Sequence, residues 1–214
     1  MAVPIGPTDD NLVLLAEKTA LEHLEPHLQP NEMAYLRQSA AKGVRSFFFP
    51  QAEHAVFVQL VENTTDATAR LEQARLSGNN LLREMRHYKA DSATLRNLCP
   101  DEIAVAFLEG LMLGNYRFSQ YVSKTEKKSD ALKSLRWAHD EAPESAIAEL
   151  NAVAQAVFLA RDLVNEPHSH FDTLKLAEAA REAGRIAGFS VDVLGKEQIE
   201  SLGAKFVKLR LDTS

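Results

Sequence analysis

Short apolar runs alternate with longer segments of helical periodicity in the first part of this 214-residue chain. The runs at Asn11–Ala16, Arg45–Phe49 and His54–Val61 predict strands, because each is short, apolar and bounded by turn-forming residues. Ser92–Leu98 and Leu132–Trp137 predict two more. Strands that alternate with helices indicate an α/β domain of three layers. We therefore predict such a domain over residues 1–143.

The connection between the second and third predicted strands is four residues long, Pro50 to Glu53. A connection of this length suits a hairpin, so the two strands should be antiparallel and the whole sheet mixed. The second strand contains three consecutive phenylalanines, Phe47, Phe48 and Phe49. We interpret them as a strand covered on both faces rather than as a binding patch.

Three helices are predicted within this domain. The first, Pro30–Ala41, begins with proline and acid, which favour a helix start, and the second runs from Asp66 to about Tyr88. The interruption Ser77-Gly78-Asn79-Asn80 predicts a kink in the second helix. The third, Asp101–Leu113, is apolar almost all round, which is typical of a helix buried against a sheet.

A long helix from Ser145, as N-cap, to Val164 or Asn165 is predicted by apolar residues at spacings of three and four. It should end there because Pro167 pushes Glu166 out of the helical conformation. Asp172 should then cap a helix over Thr173–Ala187, with Gly188 closing it. A short strand is predicted at Ser190–Leu194. The predicted organisation is thus a domain over 1–143, a linker helix over 144–166, and an incomplete α/β beginning of a second domain over 167–214.

Composition excludes some classes of function. The net charge of -6 and the isoelectric point near 5.7 argue against a nucleic-acid partner, since phosphate contacts require a basic face. The single cysteine, Cys99, permits neither an internal disulfide nor a cysteine-based zinc site, which fits a reducing cytoplasm. No apolar run approaches the roughly 20 residues of a membrane span, so no membrane association is expected.

Two segments resemble leucyl (cytosol) aminopeptidases. The segment LARDLVNEPHSHFDTLKLAEAAREAG at 159–184, followed by LGKEQIESLG at 194–203, resembles the junction between the N-terminal and catalytic domains of that family. Upstream, AFLEGLMLGNYRFSQY at Ala106–Tyr121 resembles a helix end of the same family at a fitting distance. The resemblance covers about Ile103 to Gly203. It implies an N-terminal domain similar to macro domains, which in other proteins bind ADP-ribose.

The resemblance also implies a chemistry. The full-length family enzymes use two divalent metal ions, zinc or manganese, to remove N-terminal amino acids from peptides, and they assemble as hexamers. Their metal ligands lie in segments like GKG-x-x-x-D-[ST]-GG and NTDAEGR, and neither segment occurs here. Lys196 and the stretch Asn63–Ala67 match these segments only superficially, and we interpret the latter as a strand-to-helix turn. The chain is therefore expected to hold no catalytic residues and to be inactive alone, with the missing catalytic domain or further copies of itself as partners.

Four side chains in EPHSHFD remain candidate metal ligands: Glu166, His168, His170 and Asp172. The capping role of Asp172 and the family pattern both favour a structural turn instead. Three weaker candidates are His23, Glu25 and His27; an anion site formed by Arg83, Arg86, His87 and Lys89; and Arg161-Asp162, read as a solvated ion pair.

The alternative function is that of a self-sufficient macro-like module for ligand binding or protein interaction. The glycines before residue 143 are isolated, so no glycine-rich phosphate loop is visible. The final residues AKFVKLRLDTS depart from the family pattern and could form a basic edge strand. An incomplete second domain should leave the apolar face of the helix Thr173–Ala187 exposed, which favours association.

Overall fold

A five-stranded mixed sheet forms the centre of the computed structural model, which describes residues 11–52, 54–121, 132–138 and 142–202. The strands are β1 (Asn11–Glu17), β2 (Ser46–Pro50), β3 (Ala55–Val61), β4 (Ser92–Leu98) and β5 (Ser134–Trp137), in the order β2-β3-β1-β4-β5. The β2–β3 pair is antiparallel, whereas β3, β1, β4 and β5 run parallel. The predicted hairpin and mixed sheet are confirmed.

Helices account for most of the remaining described chain. They are a 3-10 helix (Leu21–His27), α1 (Pro30–Ala41), α2 (Ala67–His87), α3 (Asp101–Asn115), α4 (Glu144–Asn165), α5 (Thr173–Ala187) and α6 (Lys196–Ser201). Within the described ranges, none of these helices combines the length and the hydropathy needed to cross a membrane.

The two faces of the sheet carry separate apolar cores. On β1, Val13 and Leu15 point into a core that α2 and α3 cover, while Leu14 and Ala16 point into a core covered by α1 and the 3-10 helix. All four side chains are fully buried. Alternating residues of a strand face opposite sides, so a strand covered on both faces must be apolar throughout. The predicted three-layer α/β fold is confirmed.

The helix α2 continues through the interruption predicted at Ser77–Asn80, and close packing explains its glycine, while the kink stays a prediction. The helix runs without interruption from Ala67 to His87. A Cβ atom on Gly78 would lie 2.1 Å from the carbonyl oxygen of Phe107 in α3, and one on Gly110 would lie 1.9 Å from that of Arg75. The two glycines therefore allow the backbones of α2 and α3 to approach more closely than side chains would permit.

Three further expectations need correction or completion. Residues Leu21–His27, for which no element was predicted, form a 3-10 helix. Ser145 is not an N-cap, because α4 begins at Glu144 and the carbonyl oxygen of Pro143 already accepts from the Ile147 amide at 2.9 Å. The strand predicted at Ser190–Leu194 is absent, since no described strand lies beside it to supply the hydrogen bonds that a strand requires. The polar stretch SKTEKKSD, which predicts an exposed turn, and the predicted basic edge strand lie in segments 122–131 and 203–214, outside the described residues.

The chain divides into two units, residues 1–161 and 162–214. In the second unit, Asp172 caps α5 as predicted, its Oδ1 accepting from the Lys175 amide at 2.9 Å, and Gly188 ends the helix with φ of 79°. Gly184 is the only buried residue among residues 162–202. The domain boundary at residue 143 and the linker role of 144–166 remain predictions.

Candidate functional site

The four candidate metal ligands lie on and after the turn that follows α4. His168, His170 and Asp172 are exposed and Glu166 is half-buried. The Asp172 carboxylate caps α5, and the His170 ring nitrogen Nδ1 lies 2.9 Å from the Ser169 hydroxyl. The Lys175 ammonium donates to the carbonyl oxygen of His170, which fixes the turn against the start of α5.

This turn is built for local structure. A zinc site needs several side chains that converge on one point with partners behind them. Across the part of the chain that the structure describes, no group of three or more histidine, cysteine, aspartate or glutamate side chains is arranged to hold a metal ion. Asp172 is already engaged by a backbone amide, so the donor set of EPHSHFD does not fit a metal centre.

The carboxyl ends of the parallel strands are where an open α/β sheet usually binds ligands. Here β1 leads to helices on one face of the sheet, whereas β3 and β4 lead to helices on the other. The Glu17 carboxylate at the end of β1 pairs with the Arg70 guanidinium of α2, and the side chains are only 20% and 16% exposed. An internal ion pair therefore occupies this position.

Cys99, which directly follows β4, lies beside the same ion pair. Burial raises the pKa of its thiol to about 12, and the nearby negative charge of Glu17 adds to the shift. The side-chain amide of Asn97 forms hydrogen bonds with the N–H and the carbonyl group of Cys99. Its oxygen accepts from the Cys99 N–H at 3.0 Å, and its nitrogen donates to the Cys99 carbonyl oxygen at 2.8 Å. The thiol stays protonated at neutral pH and is a poor nucleophile.

The basic residues at the end of α2 do not converge into an anion site. The Arg86 guanidinium donates to the carbonyl oxygen of Gly114 at 3.1 Å and so serves the end of α3. The Arg83 guanidinium donates to the Asn80 side chain. The carboxyl end of a helix carries partial negative charge, which disfavours a bound anion.

The cluster on the 3-10 helix does not converge either. Glu25 forms an exposed ion pair with Arg37 of α1. Burial lowers the pKa of His27, and the positive charge of Arg96 lowers it further. A histidine held neutral beside an arginine is a packing residue in this setting.

The family-like segment Ala106–Tyr121 forms a junction with α4, which we call the α3–α4 junction (Leu113, Tyr116, Phe158 and Arg161). The Arg161 guanidinium donates to the carbonyl oxygen of Leu113 at 2.7 Å and lies 5.4 Å from the centre of the Tyr116 ring. That ring packs against Phe158 with centroids 5.4 Å apart. The prediction of a solvated Arg161-Asp162 pair is thus wrong for Arg161.

Sequence reasoning missed this junction because each signal is ordinary alone. Arginine near the end of an amphipathic helix is usually solvated, and the run Tyr116-Arg117-Phe118 carries no periodicity. The spacing of Phe158 and Arg161, one helical turn apart on α4, is the signal that could have revealed a shared face.

Comparisons with known proteins agree with the resemblance. No family model matches the chain. Probable cytosol aminopeptidases from Mycobacterium leprae, Persephonella marina and Aquifex aeolicus are 41%, 36% and 33% identical over 105, 106 and 133 residues. These alignments cover 47%, 48% and 60% of this chain but 20%, 21% and 27% of the relatives. The matched region therefore spans only 20% to 27% of the length of these relatives.

Solved structures share the fold over nearly the whole chain. A mutant of tomato leucine aminopeptidase matches with a TM-score of 0.67 and 18% identity, covering 95% of this chain and 45% of the other. The bottromycin maturation enzyme BotP in complex with Mn gives 0.67 and 23%, covering 92% and 40%. The partial coverage fits an N-terminal domain of the aminopeptidase type.

Proposed function

We propose that this chain, whose curated relatives are cytosol aminopeptidases, is the N-terminal part of a leucyl aminopeptidase-like two-metal exopeptidase. Such an enzyme removes N-terminal amino acids from peptides. The observation that carries the proposal is the sequence identity of 33% to 41% with these relatives over 105 to 133 residues. The solved aminopeptidase structures support it through the fold.

The role of this part would be to support and place a catalytic part. The α3–α4 junction supports that role, because it anchors α4 to the first unit by Arg161 and Tyr116. In the relatives of known name, the matched region is a minor share of the protein.

The chemistry of the two metal ions would lie outside this chain. The ions, zinc or manganese, would polarise a peptide carbonyl and activate a water molecule in the full-length enzyme. The residues described here do not fit them, since Asp172 caps α5 and Cys99 is buried and protonated. We derive no catalytic step from this chain and propose that it is inactive alone.

Assembly and location belong to the same proposal. Exposed apolar side chains on the second unit support contact with further protein, either the catalytic part or other copies in a homo-oligomer. A cytoplasmic location is consistent with the names of the curated relatives.

The test is hydrolysis of a leucine chromogenic amide by the purified chain, with and without added manganese or zinc. The expected result is no turnover under either condition. Metal-dependent turnover would contradict the proposal. The double variant His168→Ala, His170→Ala would then show whether EPHSHFD supports that activity.

The alternative, a macro-like binding module, has less support. The Glu17–Arg70 pair occupies the position at the strand ends where a ligand would enter. ADP-ribose should therefore leave the melting temperature unchanged, whereas a ligand that binds the folded chain would raise it by mass action. A concentration-dependent rise in melting temperature would favour the alternative.

A further inference from the structure

A cleft runs between the edge strand β2 and the helix α2 in the first unit. Its larger cavity, about 780 Å³, is lined by Val44, Gln59 and Leu76 among others. A smaller cavity of about 370 Å³ follows, lined by Phe48 and by the last turn of α2. Ser46 borders both cavities, and its hydroxyl donates to the Glu84 carboxylate at 2.9 Å across the cleft.

One wall of the cleft is an open sheet edge. Among the described strands, β2 pairs with β3 alone and stands at the end of the sheet. Its outer side therefore offers backbone N–H and C=O groups to an added strand. A groove between an edge strand and a helix is a known geometry for binding an extended peptide, because the backbone supplies the hydrogen bonds and the cavities receive alternate side chains.

Gln59, one of the residues that line the larger cavity, carries a buried acceptor. Gln59 is only 3% exposed, and its Nε2 donates to the carbonyl oxygen of Leu60 at 3.2 Å. Among the described residues, its Oε1 atom has no hydrogen-bond partner. A buried acceptor left unpaired costs free energy, so this atom favours a ligand that brings a donor.

The side chains at the rim and at the far end of the cleft indicate which chemical groups the ligand should carry. Val44 and Leu76 are 42% and 57% exposed, so the larger cavity has an apolar rim. At the other end, Arg83 and His87 line the smaller cavity together with Glu84. The Arg83 guanidinium donates to the neutral Asn80 amide, and none of the ion pairs among the described residues includes Arg83, so its charge can attract an acidic group.

We propose that the β2–α2 cleft binds an extended peptide segment of a partner protein, added as a further strand to β2. A threonine side chain of the peptide would occupy the larger cavity, with its methyl group against the apolar rim and its hydroxyl donating to Gln59. An acidic side chain would lie beside Arg83. From Glu72 to His87, α2 is about 22 Å long, enough for roughly seven residues of extended peptide.

The probe is an acetylated peptide of alternating threonine and valine that ends in two aspartates, with a matched peptide that ends in two lysines. Binding to the full chain is followed by amide chemical shifts in NMR and by a titration for affinity. The expected result is saturable shifts at Ser46 and Phe48 and tighter binding of the aspartate peptide. Absence of shifts at β2, or shifts at β2 that depend on protein concentration without peptide, would overturn the proposal.

Variants separate the two ends of the cleft. Gln59→Leu removes the acceptor and should weaken binding roughly fivefold, the effect of one ordinary hydrogen bond. Arg83→Glu should reverse the preference between the two peptides, whereas the control Arg37→Glu, on α1 across the sheet, should not. Leu76→Asp tests the exposed rim if Gln59→Leu fails to fold. Unchanged affinities in Leu76→Asp and Arg83→Glu would count against the cleft.

Discussion

The helices α2 and α5 begin in the same way and are stabilised very differently. Both have an aspartate N-cap, Asp66 in α2 and Asp172 in α5, whose side chain accepts from backbone amides of the first turn. α2 buries six residues, Ala74, Ser77, Gly78, Leu81, Leu82 and Met85. α5 buries only Gly184. Local sequence thus sets where a helix begins, but it does not set how much the helix contributes to a core.

The contrast extends to the units that contain these helices. The first unit has two apolar cores, one on each face of its sheet. In the second unit, large apolar side chains remain exposed, including Leu174 at 73%, Ile186 at 71% and Leu202 at 69%. Tertiary packing supplies most of the stability of helices in proteins. We therefore expect the first unit to hold nearly all the stability of this chain.

The largest expected effect comes from removing a core side chain. Phe107→Ala should lower the free energy of unfolding by about 3 to 5 kcal/mol, because Phe107 is fully buried and its loss leaves a cavity. The matched change Ile186→Ala in α5 should change it by less than about 0.5 kcal/mol. Urea unfolding can be followed by the fluorescence of Trp137, which packs against the core of the first unit. Similar losses in both variants would contradict the contrast.

The next largest loss of stability is expected at Gly110, one of the two glycines at which α2 and α3 approach each other closely. Gly110→Ala places a Cβ atom 1.9 Å from the Arg75 carbonyl oxygen, so α2 and α3 must separate, and we expect a loss of about 1 to 3 kcal/mol. Gly195→Ala in the second unit meets no atom closer than 3.7 Å and serves as the control. Thermal unfolding of the two variants measures the difference. A Gly110→Ala protein as stable as the parent would show that the close approach of α2 and α3 is not needed.

The α3–α4 junction should matter less. Arg161→Ala removes the hydrogen bond to the Leu113 carbonyl and the contact with Tyr116, at a cost of about 1 to 2 kcal/mol. The exposed Arg181 of α5 provides the control, since its replacement by alanine should leave stability nearly unchanged. Chemical unfolding of both proteins checks this. Equal, small effects would mean that α4 does not depend on this anchor.

A pH effect is the smallest of the four and also belongs to the first unit. The pKa of His27 is lowered from 6.5 by burial and by Arg96. The unfolded chain then takes up the proton first, so stability should fall as the pH drops below about 6.5 towards the folded-state pKa. His27→Gln should flatten the stability curve in that window, measured as unfolding free energy against pH. Parallel curves for the two proteins would rule out His27 as the cause.

The sequence was sufficient to place the strands and helices of the first unit, because burial and periodicity agree there. The continuous burial along β1, the hairpin at Pro50 and the cap at Asp66 each follow from local pattern. The role of Gly78 was not predicted, because the need for a glycine comes from α3, a partner distant in sequence. The junction at Arg161 and the unpaired Gln59 oxygen also depend on contacts between distant segments, which periodicity does not reveal.

The strand predicted at Ser190–Leu194 is a second case in which local pattern was not sufficient. Its alternation is present in the sequence, yet a strand exists only beside another strand. This segment instead packs against Gly184. A Cβ atom added at Gly184 would lie 2.7 Å from both the Phe189 carbonyl oxygen and a Val191 methyl group. The alternation in the sequence could not supply the neighbouring strand that a strand requires.

Hydrogen exchange of backbone amides, resolved along the chain, tests the central contrast most directly. The account predicts strong protection in β1, α2 and α3, which lie in the apolar cores, and exchange near the rate of unfolded chain in α5 and α6. Protection of α5 equal to that of α2 would contradict it, because the second unit would then possess a stability that its exposed side chains do not explain.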